Sequence, residues 1–159
     1  MLLTFVIAYL LLIIILVQDV RSRAIWWFLP PLLFADLIWL QWEHIVWSSL
    51  LLNLLFIIGI MAFLALYISL RFGNAKELFK RYFGWGDLLF LLAITPICTF
   101  REFVLLFTAG TIFSLVVFGI GQLIKKRTTI PYAGYFSLAL LVYVGLLHAG
   151  TNLFTLLLV

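Results

Sequence analysis

Long apolar runs, interrupted by few charges, constrain the fold of this chain most strongly. Hydrophobic residues make up 67% of the 159 residues and charged residues only 10%, whereas a soluble domain usually has about 25% charged residues. A chain this apolar would aggregate in water, so we expect it to use lipid as its solvent. A spanning helix needs about 20 mostly apolar residues, because the hydrocarbon core is about 30 Å thick and a helix rises about 1.5 Å per residue.

Six apolar segments predict an all-α, polytopic integral membrane protein with six transmembrane helices, in a single domain over residues 1–159. The fourth segment is short, and the apolar tail at residues 151–159 is too short to span. The first segment is not expected to be a cleaved signal peptide, since no basic residue precedes it. The predicted spans are Leu2–Gln18, Trp26–Leu40, Ile45–Leu70, Trp85–Ile97, Phe103–Ile124 and Pro131–Leu147.

Basic residues predict the orientation of these spans. Nine of the 10 Lys and Arg residues follow the first, third and fifth spans. Short loops rich in basic residues stay in the cytoplasm, so the loops after these three spans are predicted to be cytoplasmic and both chain ends non-cytoplasmic. The protein is expected to lie in the plasma (inner) membrane. The basic residues are few and lie between apolar runs, which indicates a lipid bilayer and no nucleic acid as partner. The nine residues are Arg21, Arg23, Arg71, Lys76, Lys80, Arg81, Lys125, Lys126 and Arg127.

Two aspartates fall at similar depth on the predicted cytoplasmic side. Asp19 ends the first span and Asp87 begins the fourth. Carboxylates that lie close together share one proton, because both cannot ionise cheaply. The ionised member can take a proton from water while the protonated member polarises a carbonyl. This pattern predicts hydrolysis by an aspartate pair without a metal or cofactor; the alternative is that Asp19 pairs with Arg21 or Arg23 and Asp87 only caps a helix.

Other polar residues have simpler interpretations. Asp36 lies near the middle of the second span, where an aspartate costs roughly 2.5 to 3.5 kcal/mol on insertion scales. We expect it to bond inside the bundle to a group such as Asn53; a proton path or a catalytic role are the alternatives. The single cysteine, Cys98, excludes an intrachain disulfide and a multi-cysteine zinc site. The remaining acidic residues fall in predicted loops and are expected to be solvated: Glu43, Glu77 and Glu102.

Asp87 closes the segment Gly84-Trp85-Gly86-Asp87. Glycine has no Cβ, so Gly84 and Gly86 let the backbone turn sharply and let another chain approach closely. A protease needs such a backbone, because it holds its substrate extended against its own chain. At the end of a membrane span this motif therefore favours a protease site around Asp87.

The chain resembles the type IV prepilin peptidase family, membrane aspartic proteases with a G-x-G-D motif. Three segments carry the resemblance: residues 84–87, the stretch from Asp19 to Ile25, and Ile130-Pro131-Tyr132-Ala133-Gly134 at the start of the last span. The resemblance implies an aspartic endopeptidase that removes leader peptides from prepilin-like (pseudopilin) membrane proteins at the cytoplasmic membrane face. It implies Asp19 and Asp87 as catalytic residues. The residues that it implies to bind substrate or shape the backbone are Gly84, Gly86, Ile25, Ile130 and Pro131.

Some positions depart from the family's pattern. Leu89 stands where the family often has lysine, and Trp26 stands where it usually has proline. Many members also carry an N-terminal four-cysteine segment linked to methylation, so a chain that resembles the short form is expected to act as a peptidase only. Two functions of other classes remain open: a small non-enzymatic transporter with Asp36 and Asp87 on an ion path, and a structural subunit of a pilus or secretion machine.

Overall fold

The computed structural model describes residues 2–72, 84–124 and 130–150, and these ranges contain helices and no strand. This confirms the predicted all-α class. A single 3₁₀ turn, Thr95–Ile97, separates the fourth and fifth helices. Most predicted loop charges after the third and fifth spans (76–81 and 125–127) and the tail at 151–159 lie outside the described residues. The helices are α1 (Leu2–Ser22), α2 (Leu29–Leu40), α3 (Trp47–Phe72), α4 (Trp85–Ala93), α5 (Phe100–Ile124) and α6 (Tyr132–His148).

Three of these helices are long and apolar enough to cross a membrane. They are α1, α3 and α5, with candidate spans Leu2–Ser22, Trp47–Arg71 and Phe100–Gln122. The other apolar helical segments, among them Trp85–Ile97 with its 3₁₀ turn, are shorter; a typical bilayer requires about 20 residues. The length and composition of these three helices indicate a helical membrane protein.

Helix boundaries follow local sequence signals, and several predicted boundaries are corrected. α2 begins at Leu29 rather than Trp26, because Pro30 and Pro31 lack an N–H and fit only the first turn of a helix. α1 continues to Ser22, so Asp19 lies inside its last turn rather than at its end. α5 begins after Thr99, whose backbone N–H and hydroxyl both donate to Glu102 Oε2, at 3.2 and 3.0 Å, as in a capping box.

The predicted fourth span is not one continuous helix. α4 ends at Ala93, and Pro96 in the following 3₁₀ turn cannot donate the hydrogen bond that would extend it. Asn53 of α3 compensates for the break, because its Nδ2 donates to Thr95 O at 2.8 Å and to Cys98 O at 3.1 Å. Gln41 Nε2 donates to Ile97 O at 2.8 Å.

These bonds overturn the predicted pairing of Asp36 with Asn53. The Asn53 amide is directed to the α4–α5 connection instead. Asp36 Oδ2 is buried and has no hydrogen-bond partner among the described residues. The sequence could not separate these arrangements, because no local pattern shows that Asn53 lies beside the helix break at Pro96 in the folded bundle.

The α1 and α6 helices pack antiparallel and define the two ends of the bundle. At one end the Phe5 ring contacts His148 edge-on, with 4.6 Å between ring centroids. At the other end Gly134 of α6 meets Asp19 of α1. We call the end with Asp19 and Gly134 the aspartate end, and the end with Phe5 and His148 the opposite end. Between them the core is filled by fully buried side chains, among them Phe90, Phe103 and Phe136.

Candidate active site

Three sequence segments, far apart along the chain, meet at the aspartate end. The last turn of α1 supplies Asp19, the first turn of α4 supplies Asp87, and the first turn of α6 supplies two backbone amides. These are the segments on which the family resemblance rests. The sequence reasoning placed the two carboxylates at similar depth, and the fold brings them to the same short stretch of α6.

Asp19 is almost completely enclosed by protein. Only 5% of its surface is exposed. Its Oδ2 accepts a hydrogen bond of 2.7 Å from the Gly134 backbone N–H, and Arg23 is near enough for a favourable charge interaction. The Arg23 backbone has φ of 56°, so the chain turns sharply just after α1 and keeps this arginine near the helix end. The predicted interaction of Asp19 with a neighbouring arginine thus coexists with its place in the pair.

Asp87 is half-buried and bonds to the residue next to Gly134. Its Oδ1 accepts a hydrogen bond of 3.1 Å from the Ala133 backbone N–H. A second backbone hydrogen bond comes from Gly84, the N-cap residue of α4. The carboxylate therefore joins the N-termini of α4 and α6, which fixes its position relative to Asp19.

Consecutive amides of one helix turn set the separation of the two carboxylates. Ala133 and Gly134 are adjacent, and consecutive residues lie about 3.8 Å apart. Each carboxylate is within hydrogen-bond distance of its amide, so the two bonded oxygens lie within about 10 Å of each other. The two carboxyl groups also interact electrostatically. The first N–H groups of a helix have no partner within it, so the positive end of the α6 dipole and these N–H groups favour negative charge at this place.

Gly134 makes the approach of α1 to α6 possible. A Cβ built on Gly134 would lie 3.1 Å from Asp19 Oδ2, 3.2 Å from Asp19 Cβ and 3.3 Å from Val20 Cγ2. These separations are tighter than ordinary van der Waals contacts. A side chain at this position would therefore push the Asp19 carboxylate away from its amide partner.

The five residues implied to bind substrate or shape the backbone divide into two groups. Gly86, Ile25 and Pro131 form the first group. The Ile25 side chain packs 3.4 Å from the position of a Cβ on Gly86, and Pro131 is the buried N-cap residue of α6. Gly84 and Ile130 are exposed beside Asp87 and Ala133. The first group can shape the backbone, whereas the second is accessible to another molecule.

The sequence reasoning missed the backbone N–H groups of Ala133 and Gly134. Both residues belong to the segment 130–134, in which the resemblance pointed only to Ile130 and Pro131. Gly134 was the available signal, because a glycine there allows another helix to approach closely. Asp36, the third aspartate weighed for catalysis, is not part of the site and bonds to neither amide. A cavity of about 580 Å³ lies at the opposite end, lined among others by His44, Glu102 and His148, and contains neither Asp19 nor Asp87.

Two carboxyl groups held in this way have the groups that acid–base chemistry requires. One oxygen of each carboxylate accepts a hydrogen bond from a backbone N–H of α6, which holds both groups in position. The other oxygen of Asp19 makes no bond to α6. Paired carboxyl groups can share one proton.

No protein-family model, curated protein or solved structure matches the chain.

Proposed function

We propose that the chain is an aspartic endopeptidase of the type IV prepilin peptidase kind, with six membrane spans and with Asp19 and Asp87 as catalytic residues. The proposal rests on one observation above all: the two carboxylates bond to adjacent amides, Gly134 N–H and Ala133 N–H, at the start of α6. The resemblance of the three converging segments gives the substrate class, which is leader peptides of prepilin-like membrane proteins.

The proposed reaction needs one proton on the pair and one water molecule. The ionised carboxylate takes a proton from the water, whose oxygen attacks the carbonyl carbon of the scissile peptide. The protonated carboxyl group gives its proton to the carbonyl oxygen, which forms a neutral tetrahedral diol. The C–N bond then breaks: a carboxyl group returns a proton to the leaving nitrogen and the other accepts one from the diol. The pair ends with one proton, as it began.

The described surface gives a direction of approach for the substrate. Asp19 is enclosed, whereas Asp87 is half-buried and has Gly84, Trp85 and Ile130 exposed beside it. The scissile peptide would therefore reach the pair from the side of Asp87. Gly84 has no side chain of its own, and a Cβ there would lie only 3.0 Å from Asp87 Oδ2, so glycine leaves room beside this carboxylate for a backbone to approach.

The decisive experiment uses the full chain in detergent or lipid with a prepilin-like substrate. Wild-type protein should release a leader-sized fragment, and Asp19→Asn and Asp87→Asn should each lower the rate by at least about 100-fold, since each removes an acid–base group. Asparagine keeps an oxygen that can accept the α6 amide hydrogen bond, so both variants should stay folded. Asp36→Asn is the matched control, because Asp36 lies outside the site, and it should cleave like wild type.

Two outcomes would reject the proposal. Cleavage that survives in both variants would show that another group does the chemistry. Absence of cleavage by folded wild-type protein, together with a lower free energy of unfolding in both variants, would indicate that Asp19 and Asp87 only cap α6.

A further inference from the structure

The helices of this bundle differ greatly in height, although they share a common level at the opposite end. The end of α2, the start of α3, the start of α5 and the end of α6 all line the cavity at the opposite end, together with Phe5 near the start of α1. From this level α6, with 17 residues, rises about 25 Å at about 1.5 Å per residue. The 26 residues of α3 and the 25 residues of α5 rise about 37 to 39 Å.

The α5 helix therefore extends well beyond the aspartate pair. Thr111 Oγ1 and Tyr132 OH are 2.9 Å apart, so the middle of α5 lies beside the start of α6 and the two carboxylates. The helix continues from Thr111 to Ile124, which adds about 20 Å at about 1.5 Å per residue. Even at a tilt of about 40°, the upper end for membrane helices, about 15 Å of this height remains.

The projecting part of α5 is apolar on its exposed face. Ile112, Phe113, Leu115, Val116 and Ile120 are all exposed large hydrophobic residues. In the sequence the first basic residues after them are Lys125, Lys126 and Arg127. Apolar surface of this extent is stable in lipid rather than in water, so we place the headgroup level next to α5 near the end of this helix at Ile124.

The helices around α2 indicate a much thinner membrane. The α2 helix has 12 residues and is about 18 Å long. Exposed tryptophans flank it on both sides, and such residues mark the level of the lipid headgroups. On the aspartate end they are Trp26, Trp27 and Trp85, and on the opposite end Trp39, Trp42 and Trp47.

The two headgroup levels disagree on the aspartate end of the molecule. Beside α2 the level is set by Trp26, Trp27 and the arginines that follow Asp19, which places it at the height of the carboxylate pair. Beside α5 it lies about 15 to 20 Å higher. A flat bilayer cannot satisfy both levels, and a bilayer answers such a mismatch by local thinning.

We propose that the chain thins the membrane on its α2 side, so that the lipid headgroups and water descend to Asp19 and Asp87 while α3 and α5 remain in lipid of ordinary thickness. The partner of this surface is the acyl-chain region of the bilayer itself. The consequence is an aspartate pair that lies below the general membrane surface and is still reached by water from the α2 side. This inference depends on the membrane assignment and not on the protease proposal.

Depth measurements with single spin labels test this directly. The full chain with Cys98→Ser, which removes the only cysteine, carries one new cysteine at a time and is placed in phospholipid vesicles. The variants are Trp27→Cys, Ile120→Cys and Ile58→Cys, at positions 76%, 57% and 56% exposed. Collisions with oxygen report a hydrocarbon environment, and collisions with a water-soluble nickel chelate report headgroups or water.

The label that stands further from the opposite end is expected to lie deeper in the membrane. The label on Ile120→Cys should lie in hydrocarbon like the mid-helix control Ile58→Cys, and the label on Trp27→Cys should lie among the headgroups, although residue 120 stands further from the opposite end. A label at residue 27 as deep as the one at residue 58 would overturn the proposal, as would a water-exposed label at residue 120. Protection of residue 120 from both reagents, with spin–spin broadening between copies, would also overturn it, because a second protein chain would then cover α5.

Discussion

The closest approach of two elements in the site involves a residue with no side chain. Gly134 lets α1 and α6 come together so that its N–H reaches Asp19 Oδ2. In Gly134→Ala the new Cβ has to displace Asp19 or Val20, and crowding of this kind costs about 1 to 3 kcal/mol. We expect at least about a tenfold loss of cleavage, measured with the same substrate assay.

Gly119→Ala is the matched control for this change. A Cβ at Gly119, in the described part of α5, would meet no atom within 4 Å. Alanine also has a higher helix propensity than glycine, by up to about 1 kcal/mol. The control should therefore keep wild-type cleavage and unfold no more easily. Equal activity of both variants would contradict the tight contact at Gly134.

A second prediction at the residue scale concerns Asp36. Its Oδ2 is buried without a partner, and an unsatisfied buried polar group costs about 1 to 3 kcal/mol. Asp36→Leu should raise the free energy of unfolding by about this amount and leave cleavage within about twofold of wild type, as expected for a residue outside the site. Chemical unfolding in detergent and the cleavage assay measure the two effects. A folded but inactive variant would instead favour the proton-path interpretation.

At the scale of elements, the break between α4 and α5 depends on one amide. Asn53→Leu removes the donor that serves Thr95 O and Cys98 O, and we expect the free energy of unfolding to fall by about 1 to 3 kcal/mol. Asn53→Asp is a sharper test, because aspartate has nearly the same shape but no N–H donor when ionised. It should be at least as destabilising.

The control for this element is Thr108→Val on the exposed face of α5. Thr108 Oγ1 donates only to Val104 O of its own helix, at 2.7 Å, so its loss should change the free energy of unfolding by less than about 0.5 kcal/mol. If the Asn53 variants unfold like this control, the two carbonyl groups find other partners, and the break is not held by α3.

The positions of the helices could be predicted because apolar runs and breakers are local signals. Each of the six helices in the described residues overlaps a predicted span, and Gly84 marks the start of α4. The start of α2 was misplaced at Trp26, although Pro30 and Pro31 signal it. The end of α4 was missed, although Pro96 signalled it, because a broken helix in a membrane is stable only if another helix satisfies its carbonyl groups. The residue that donates these hydrogen bonds, Asn53, lies 42 residues before Thr95 in the sequence.

The site was predictable to a lesser degree. Loop charges and span order placed Asp19 and Asp87 at one level, but no local pattern shows which side chains touch. The hydrogen bonds to Ala133 and Gly134 depend on how far α1, α4 and α6 slide past one another, which is decided by packing. The same holds for the height of α5 above the pair, since helix length alone does not tell where a neighbouring helix begins.

At the scale of the whole molecule, the difference in helix length bears on how a membrane could contain the chain. The two longest helices, α3 and α5, stand beside α1 and the shorter helices α2, α4 and α6. A helix as short as α2 spans a membrane only where the membrane is thin. The number of spans and the proposed thinning are therefore one physical question, which is whether α2 connects opposite faces.

Labelling on the two sides of α2 answers that question. In the Cys98→Ser chain, Ala24→Cys and Glu43→Cys place a thiol just before and just after α2, at exposed positions. Arginines near Ala24 predict that this side is cytoplasmic. A membrane-impermeant maleimide should thus label the Ala24 variant only in inside-out vesicles and the Glu43 variant only in right-side-out vesicles. Labelling of both variants from the same face would show that α2 does not cross, and the six-span arrangement and the thinned membrane would then both be wrong.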